Sequence, residues 1–139
     1  AVAADTSWRP QAAQLFLRAG YGAFQGKDFV RAVAVLSEAQ PWAAAANAPF
    51  MSYLIGYSQF NLGNPPLQAL QALKIDPHKQ ATVDSACVLS KAILDQFGPA
   101  QTNLTAGASV SREQVSQLLT YIGNVTTALG PMRTRLKCP

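Results

Sequence analysis

Charge is scarce in this chain. Asp, Glu, Lys and Arg supply 13% of its residues, about half the usual share of a globular protein. The shortfall leaves neutral and apolar surface that calls for cover, and other copies of the chain can supply it. Histidine occurs once, at His78, and cysteine twice, at Cys87 and Cys138. One imidazole and two distant thiols make no zinc spacing, so no metal site is expected. The seven acids (Asp5, Asp28, Glu38, Asp76, Asp84, Asp95 and Glu113) include no close pair, and most fit capping or solvation. A Gly-rich phosphate loop, a G-x-S-x-G elbow and an H-E-x-x-H helix are all missing from the sequence. The chain therefore reads as a non-enzyme with no catalytic residue and no cofactor. A small helical enzyme would need separated acids and His78 to converge in one pocket. In Asp76-Pro77-His78-Lys79 the histidine reads instead as a turn residue, capping or solvated.

Long apolar runs are missing too. None approaches the ~18 residues a membrane span requires, so no span is expected. Basic residues outnumber acidic ones eleven to seven, but they are scattered except for Arg133, Arg135 and Lys137 in the tail MRTRLKCP. No basic stripe is interleaved with aromatics, which argues against a nucleic-acid partner. The tail, 131–139, reads as solvated.

What the chain does contain is helix. At 139 residues it is long enough for one domain with a real core, and 49% of it is hydrophobic, much of that alanine. After an N-terminal extension, 1–9, a helix is expected from about Pro10 to Gln25, with proline in its first turn. Leu15, Phe16, Ala19, Ala23 and Phe24 recur along it at helical spacing. Gly26-Lys27 breaks it, and Asp28 caps a second helix, Phe29 to Ala39. Pro49 opens a third, to Leu62, and Gly63 ends it. Pro65-Pro66 fit only a first turn, so a short helix from Leu67 to Lys74 is expected, closed by Asp76-Pro77. A fifth helix runs from Lys79 to Gln96 and stops at Phe97-Gly98-Pro99. The segment 98–110 reads as loop. Ser111 and Gln114 form a capping box that opens an amphipathic helix within 111–130. No segment alternates with period two, so the fold class is all-α.

Several features point to export. The start AVAADTS is small and Ala-rich, like sequence flanking a signal-peptidase cut, although an arbitrary start fits as well. Two sequons, Asn103-Leu104-Thr105 and Asn124-Val125-Thr126, are candidate glycan acceptors. The two cysteines allow an intramolecular disulfide, two thiols or a pair between chains. A Cys87–Cys138 disulfide is expected, fixing the tail onto the fifth helix and adding up to a few kcal/mol.

Laid over one another, the first two hairpins repeat. Gly20, Phe24, Gly26 and Asp28-Phe29, then Ala32, Leu36 and Ala39, match Gly56-Tyr57, Phe60, Gly63-Asn64, then Ala69, Ala72-Leu73 and Asp76-Pro77. On these residues the span 10–97 resembles a tetratricopeptide repeat protein, with Ala72-Leu-Lys-Ile-Asp-Pro77 close to that family's habitual repeat ending. Pro65-Pro66 depart from the pattern and trim the returning helix. The resemblance implies antiparallel hairpins stacked as a short solenoid, with the last helix as a C-terminal cap. It also implies a concave face built from the first helix of each hairpin, here Tyr21, Gln25, Phe50, Tyr53, Tyr57, Asn61 and Lys91, with Phe24 and Phe60 read as core. Such an aromatic, nearly uncharged groove suits a helix, an extended segment or a glycan. The expected function is protein–protein contact, first with other copies of the chain as subunits of an extracellular fibre or similar assembly. The alternative is a monomeric periplasmic or extracellular adaptor that holds a partner peptide in the groove.

Overall fold

A computed structural model describes residues 5–139; the leading AVAA, part of the start read as a cleavage flank, lies outside the described residues. Five helices follow one another: α1 (Arg9–Gln25), α2 (Phe29–Ala39), α3 (Ala48–Ala72), α4 (Gln80–Ala106) and α5 (Arg112–Arg135). Short 3-10 turns, Gln40–Trp42 and Ala108–Val110, follow α2 and α4. No strand occurs among the described residues, so the all-α class holds.

The first hairpin forms for local reasons. Lys27 takes the left-handed conformation (φ 60°) just past α1, and the Asp28 N–H returns to the Ala23 carbonyl at 2.9 Å. These bonds satisfy the last carbonyls of α1 and reverse the chain. Asp28 Oδ1 then accepts from the Arg31 N–H, capping α2. Gly20 lies against Leu36, where any Cβ would collide, so the glycine sets how closely α1 and α2 approach. Ala13, Leu36, Ala39, Met51, Leu54 and Ile55 make one core, from α1, α2 and the first half of α3.

The second hairpin differs from the expected one. No reversal occurs at Gly63-Asn64-Pro65-Pro66: α3 runs straight through both prolines for 25 residues. Likewise α4 continues through Phe97-Gly98-Pro99 for 27 residues, so 98–110 is mostly helix rather than loop. The separate Leu67–Lys74 helix is the second half of α3, and α4 is its return rather than the opening of a third hairpin. Proline in a helix interior costs ~3 kcal/mol or more, because it removes a hydrogen bond and crowds the preceding turn. Packing offsets that cost. Phe97, fully buried, fills the notch at Gly63, and a Cβ on Gly56 would sit 2.8 Å from Leu104. A Cβ on Gly107 would meet the Tyr53 backbone at 2.5 Å at the far end of the pair. At Gly63 and Gly56 a glycine on one helix and a large side chain on its partner fix the antiparallel register.

The second core joins Leu67 and Leu70 of α3, Ala86, Ile93, Phe97, Ala100 and Leu104 of α4, and Val115, Ile122 and Leu129 of α5. The end of α5 also departs from expectation. Gly130-Pro131 do not stop it, and it reaches Arg135. Lys137 then takes φ 57°, and the Cys138 N–H returns to the Arg133 carbonyl. This is the same closing turn that ends α1. Nor does the expected capping box form: Ser111 makes no side-chain cap bond, and the Gln114 side chain accepts from Tyr53 instead.

Candidate functional site

Nine aromatic rings make an unbroken chain of contacts through the molecule. Tyr21 meets Phe50 and Phe24; Phe24 meets Phe29 and Tyr57; Tyr57 meets Tyr53 and Phe60; Phe60 meets Phe97 and Tyr121. Centroid separations lie between 5.5 Å (Phe24–Tyr57) and 6.5 Å (Tyr21–Phe24), the range in which ring quadrupoles attract. Helical spacing on α3 creates the spine: Phe50, Tyr53, Tyr57 and Phe60 fall at three- and four-residue steps, so one face of the helix carries all four. The chain links both cores, and of its nine rings only Tyr21 and Tyr121 are exposed.

Four of the seven groove residues read from sequence, Tyr21, Phe50, Tyr53 and Tyr57, belong to this chain. Asn61 adjoins it, donating from Nδ2 to the Tyr57 carbonyl at 2.9 Å. Gln25 stands exposed one turn beyond Tyr21, outside the ring contacts. Lys91 is not part of the face: it pairs with Asp95 on its own helix at 2.8 Å, with both side chains largely in solvent. Phe24 and Phe60 are half-buried against the two cores, as expected of packing residues. Tyr121 and Gln114 were not legible as members. Their positions depend on α5 lying beside α3, which no local signal encodes.

Tyr53 packs against both cores, and its hydroxyl donates to Gln114 Oε1 at 2.6 Å, tying α3 to the start of α5. Burial, and secondarily the neighbouring Tyr57 phenol, pushes the Tyr53 phenol above its ordinary value. A polar seam lies nearby. Gln40 Nε2 donates to Ser52 Oγ and Asn103 Oδ1, and Asn103 Nδ2 donates to Gln59 Oε1 and the Pro99 carbonyl. The first sequon therefore falls inside α4, with both amide protons of Asn103 already engaged. Asn124, the second, is exposed on α5.

Beyond Tyr121 the helices α3 and α5 both rest on α4 but part from one another. Leu67, Leu70 and Gln71 face Val125, Ala128 and Leu129 across a hollow of about 410 Å³. A second hollow of about 260 Å³, lined by Ile75, Pro77, Met132, Arg135 and Leu136, lies further along α5. The first hollow is a largely apolar trough open to solvent, with Gln71 and Asn124 among its lining.

The tail is held rather than loose. Cys87 and Cys138 form a disulfide with 5.4 Å between their Cα atoms. Arg133, read as a solvated basic residue, instead donates from Nη1 to the Cys87 carbonyl (2.8 Å) and Ser90 Oγ (2.6 Å), and from Nη2 to the Pro139 oxygen (2.9 Å). His78 sits in the turn after α3, its backbone N–H donating to Asp76 Oδ1. Among the described residues no three His, Cys, Asp or Glu gather to hold a metal, and no helix is long and apolar enough to cross a membrane. The chain matches no protein family model, no curated protein and no solved structure, so its assignment rests on its own residues and packing.

Proposed function

We propose that this chain is a non-enzymatic, exported, tetratricopeptide-like protein that works through protein–protein contacts, chiefly with copies of itself. The observation that carries the reading is an uncovered apolar stripe on α1. Ala12, Leu15, Phe16 and Ala19 line a shallow hollow there, and Leu15 is 67% exposed. At the other end of the molecule α5 packs on the second core, whereas among the described residues no further helix lies over the outer face of α1. The hairpin of α1 and α2, the glycines at the helix crossings and the sharing of one ring chain by α1, α3 and α5 support the repeat reading. The Cys87–Cys138 disulfide supports export, since such bonds persist in oxidising compartments. Negative-stain microscopy of the native material tests the reading: multimers or filaments are expected, and isolated particles of single-chain size would overturn it.

A second reading has its own observation. Tyr21 and Tyr121, exposed at 39% and 43%, offer the two exposed phenol tips of the ring chain, as an adaptor for a partner peptide would. A peptide selected against the wild-type chain from a displayed library should then lose affinity for the Tyr21→Ser, Tyr121→Ser variant; unchanged affinity would count against it.

A further inference from the structure

The molecule carries two uncovered apolar features of matching form. The stripe on α1 recurs at i, i+3, i+4 and i+7 (Ala12, Leu15, Phe16, Ala19), the pattern of a helix that lays one face into a groove. The trough between α3 and α5 is such a groove, floored by Leu67, Leu70 and Leu129, with Ala128 on its rim. We propose that α1 of one copy seats in the trough of the next. The inference rests on the self-association reading and names its interface.

Dimensions support the fit. The apolar stripe, Ala12 to Ala19, takes about 10 Å of the roughly 25 Å of α1. The hollow between Leu67, Leu70 and Leu129 lies along a similar length of α5, Tyr121 to Leu129, about 12 Å. Sinking the free half of the whole helix, with Gln11, Gln14 and Arg18 flanking the stripe at the rim, hides on the order of 400–500 Å² on each partner. The total is close to the ~1,000 Å² at which specific interfaces begin. The contact is therefore of the weak class, held by repetition rather than by a single docking event. Alanines at both ends of the stripe, and Ala128 opposite, allow close approach of the backbones. The stripe and the trough cannot meet within one copy: α1 packs on the first half of α3, and the trough belongs to the second half. The contact is heterologous. Each docking leaves a free stripe at one end and a free trough at the other, so assembly continues unless the rotation closes a ring.

Two charged substitutions at exposed positions separate the features, Leu15→Glu on the stripe and Ala128→Glu on the trough rim. Thermal melts should match wild type for both, because neither side chain is in a core. At concentrations where wild type assembles, each variant alone should sediment as monomer. Mixed in equal amounts they should give a dimer and nothing larger, since the intact stripe of the Ala128→Glu copy still fits the intact trough of the Leu15→Glu copy. Assembly unchanged in either variant, or a mixture that stays monomeric, would overturn the stripe-in-trough contact while leaving self-association standing. A wild-type chain that is monomeric throughout removes self-association itself, and this contact with it.

Discussion

Ser58 is wholly buried on α3, and among the described residues its Oγ is the one buried side-chain polar atom without a hydrogen-bond partner. A buried hydroxyl left unpaired costs about 1–3 kcal/mol. Ser58→Ala removes the hydroxyl and little else, so it should raise stability by about 1 kcal/mol, read as a higher midpoint in urea; a lower midpoint would mean the hydroxyl has a partner. Tyr53 makes a pH prediction at the same scale. Burial raises its phenol above the ordinary value of 10.0, so the neutral form is favoured in the folded chain. The unfolded phenol ionises first, and the stability linked to Tyr53 is full below pH 10.0 and lost as pH rises through the folded value. Thermal midpoints of wild type should fall more steeply above pH 10 than those of Tyr53→Phe. Parallel curves would contradict it. At neutral pH the same variant should lose about 1 kcal/mol with the Gln114 bond.

At the scale of the elements, the tandem prolines give the sharpest test. If α3 is continuous, Pro65 occupies a helix interior and is exposed there. Pro65→Ala should then stabilise the chain by up to ~3 kcal/mol, through a restored hydrogen bond and relieved crowding. Were the site a turn, the same change would be neutral or destabilising, and chemical denaturation distinguishes the two. The first hairpin was legible because its signals are local. Pro10 in the first turn, the break at Gly26-Lys27 and the cap at Asp28 each act within a few residues of where they stand. The second hairpin was misread because its decisive contacts are remote in sequence. Phe97 in the Gly63 notch and Leu104 at Gly56 hold two helices through three prolines, and no window of ten residues contains both partners. The same limit applied to the candidate site. Spacing on α3 placed Phe50, Tyr53 and Tyr57 on one face, but Lys91 was assigned there by treating α4 as the opening of a hairpin. Gln114 was read as a cap because Tyr53 lies 61 residues away.

Across the whole molecule, the disulfide and the stripe act at opposite ends. Cys87 and Cys138 are separated by 51 residues, and the bond closes a loop holding most of α4 and all of α5. Cys138→Ser should therefore cost about 2–4 kcal/mol, and reductant should bring wild type to the same denaturation midpoint. A midpoint indifferent to reductant would show that Arg133 and the core already hold the tail. At the other end nothing among the described residues covers Leu15, and a surface with so few charges has little else to keep copies apart. The central claim is that copies cover one another. Sedimentation velocity of the wild-type chain over a wide concentration series tests it most directly. The account predicts a mass that rises with concentration past the dimer; a single species of 14.8 kDa at every concentration would contradict it.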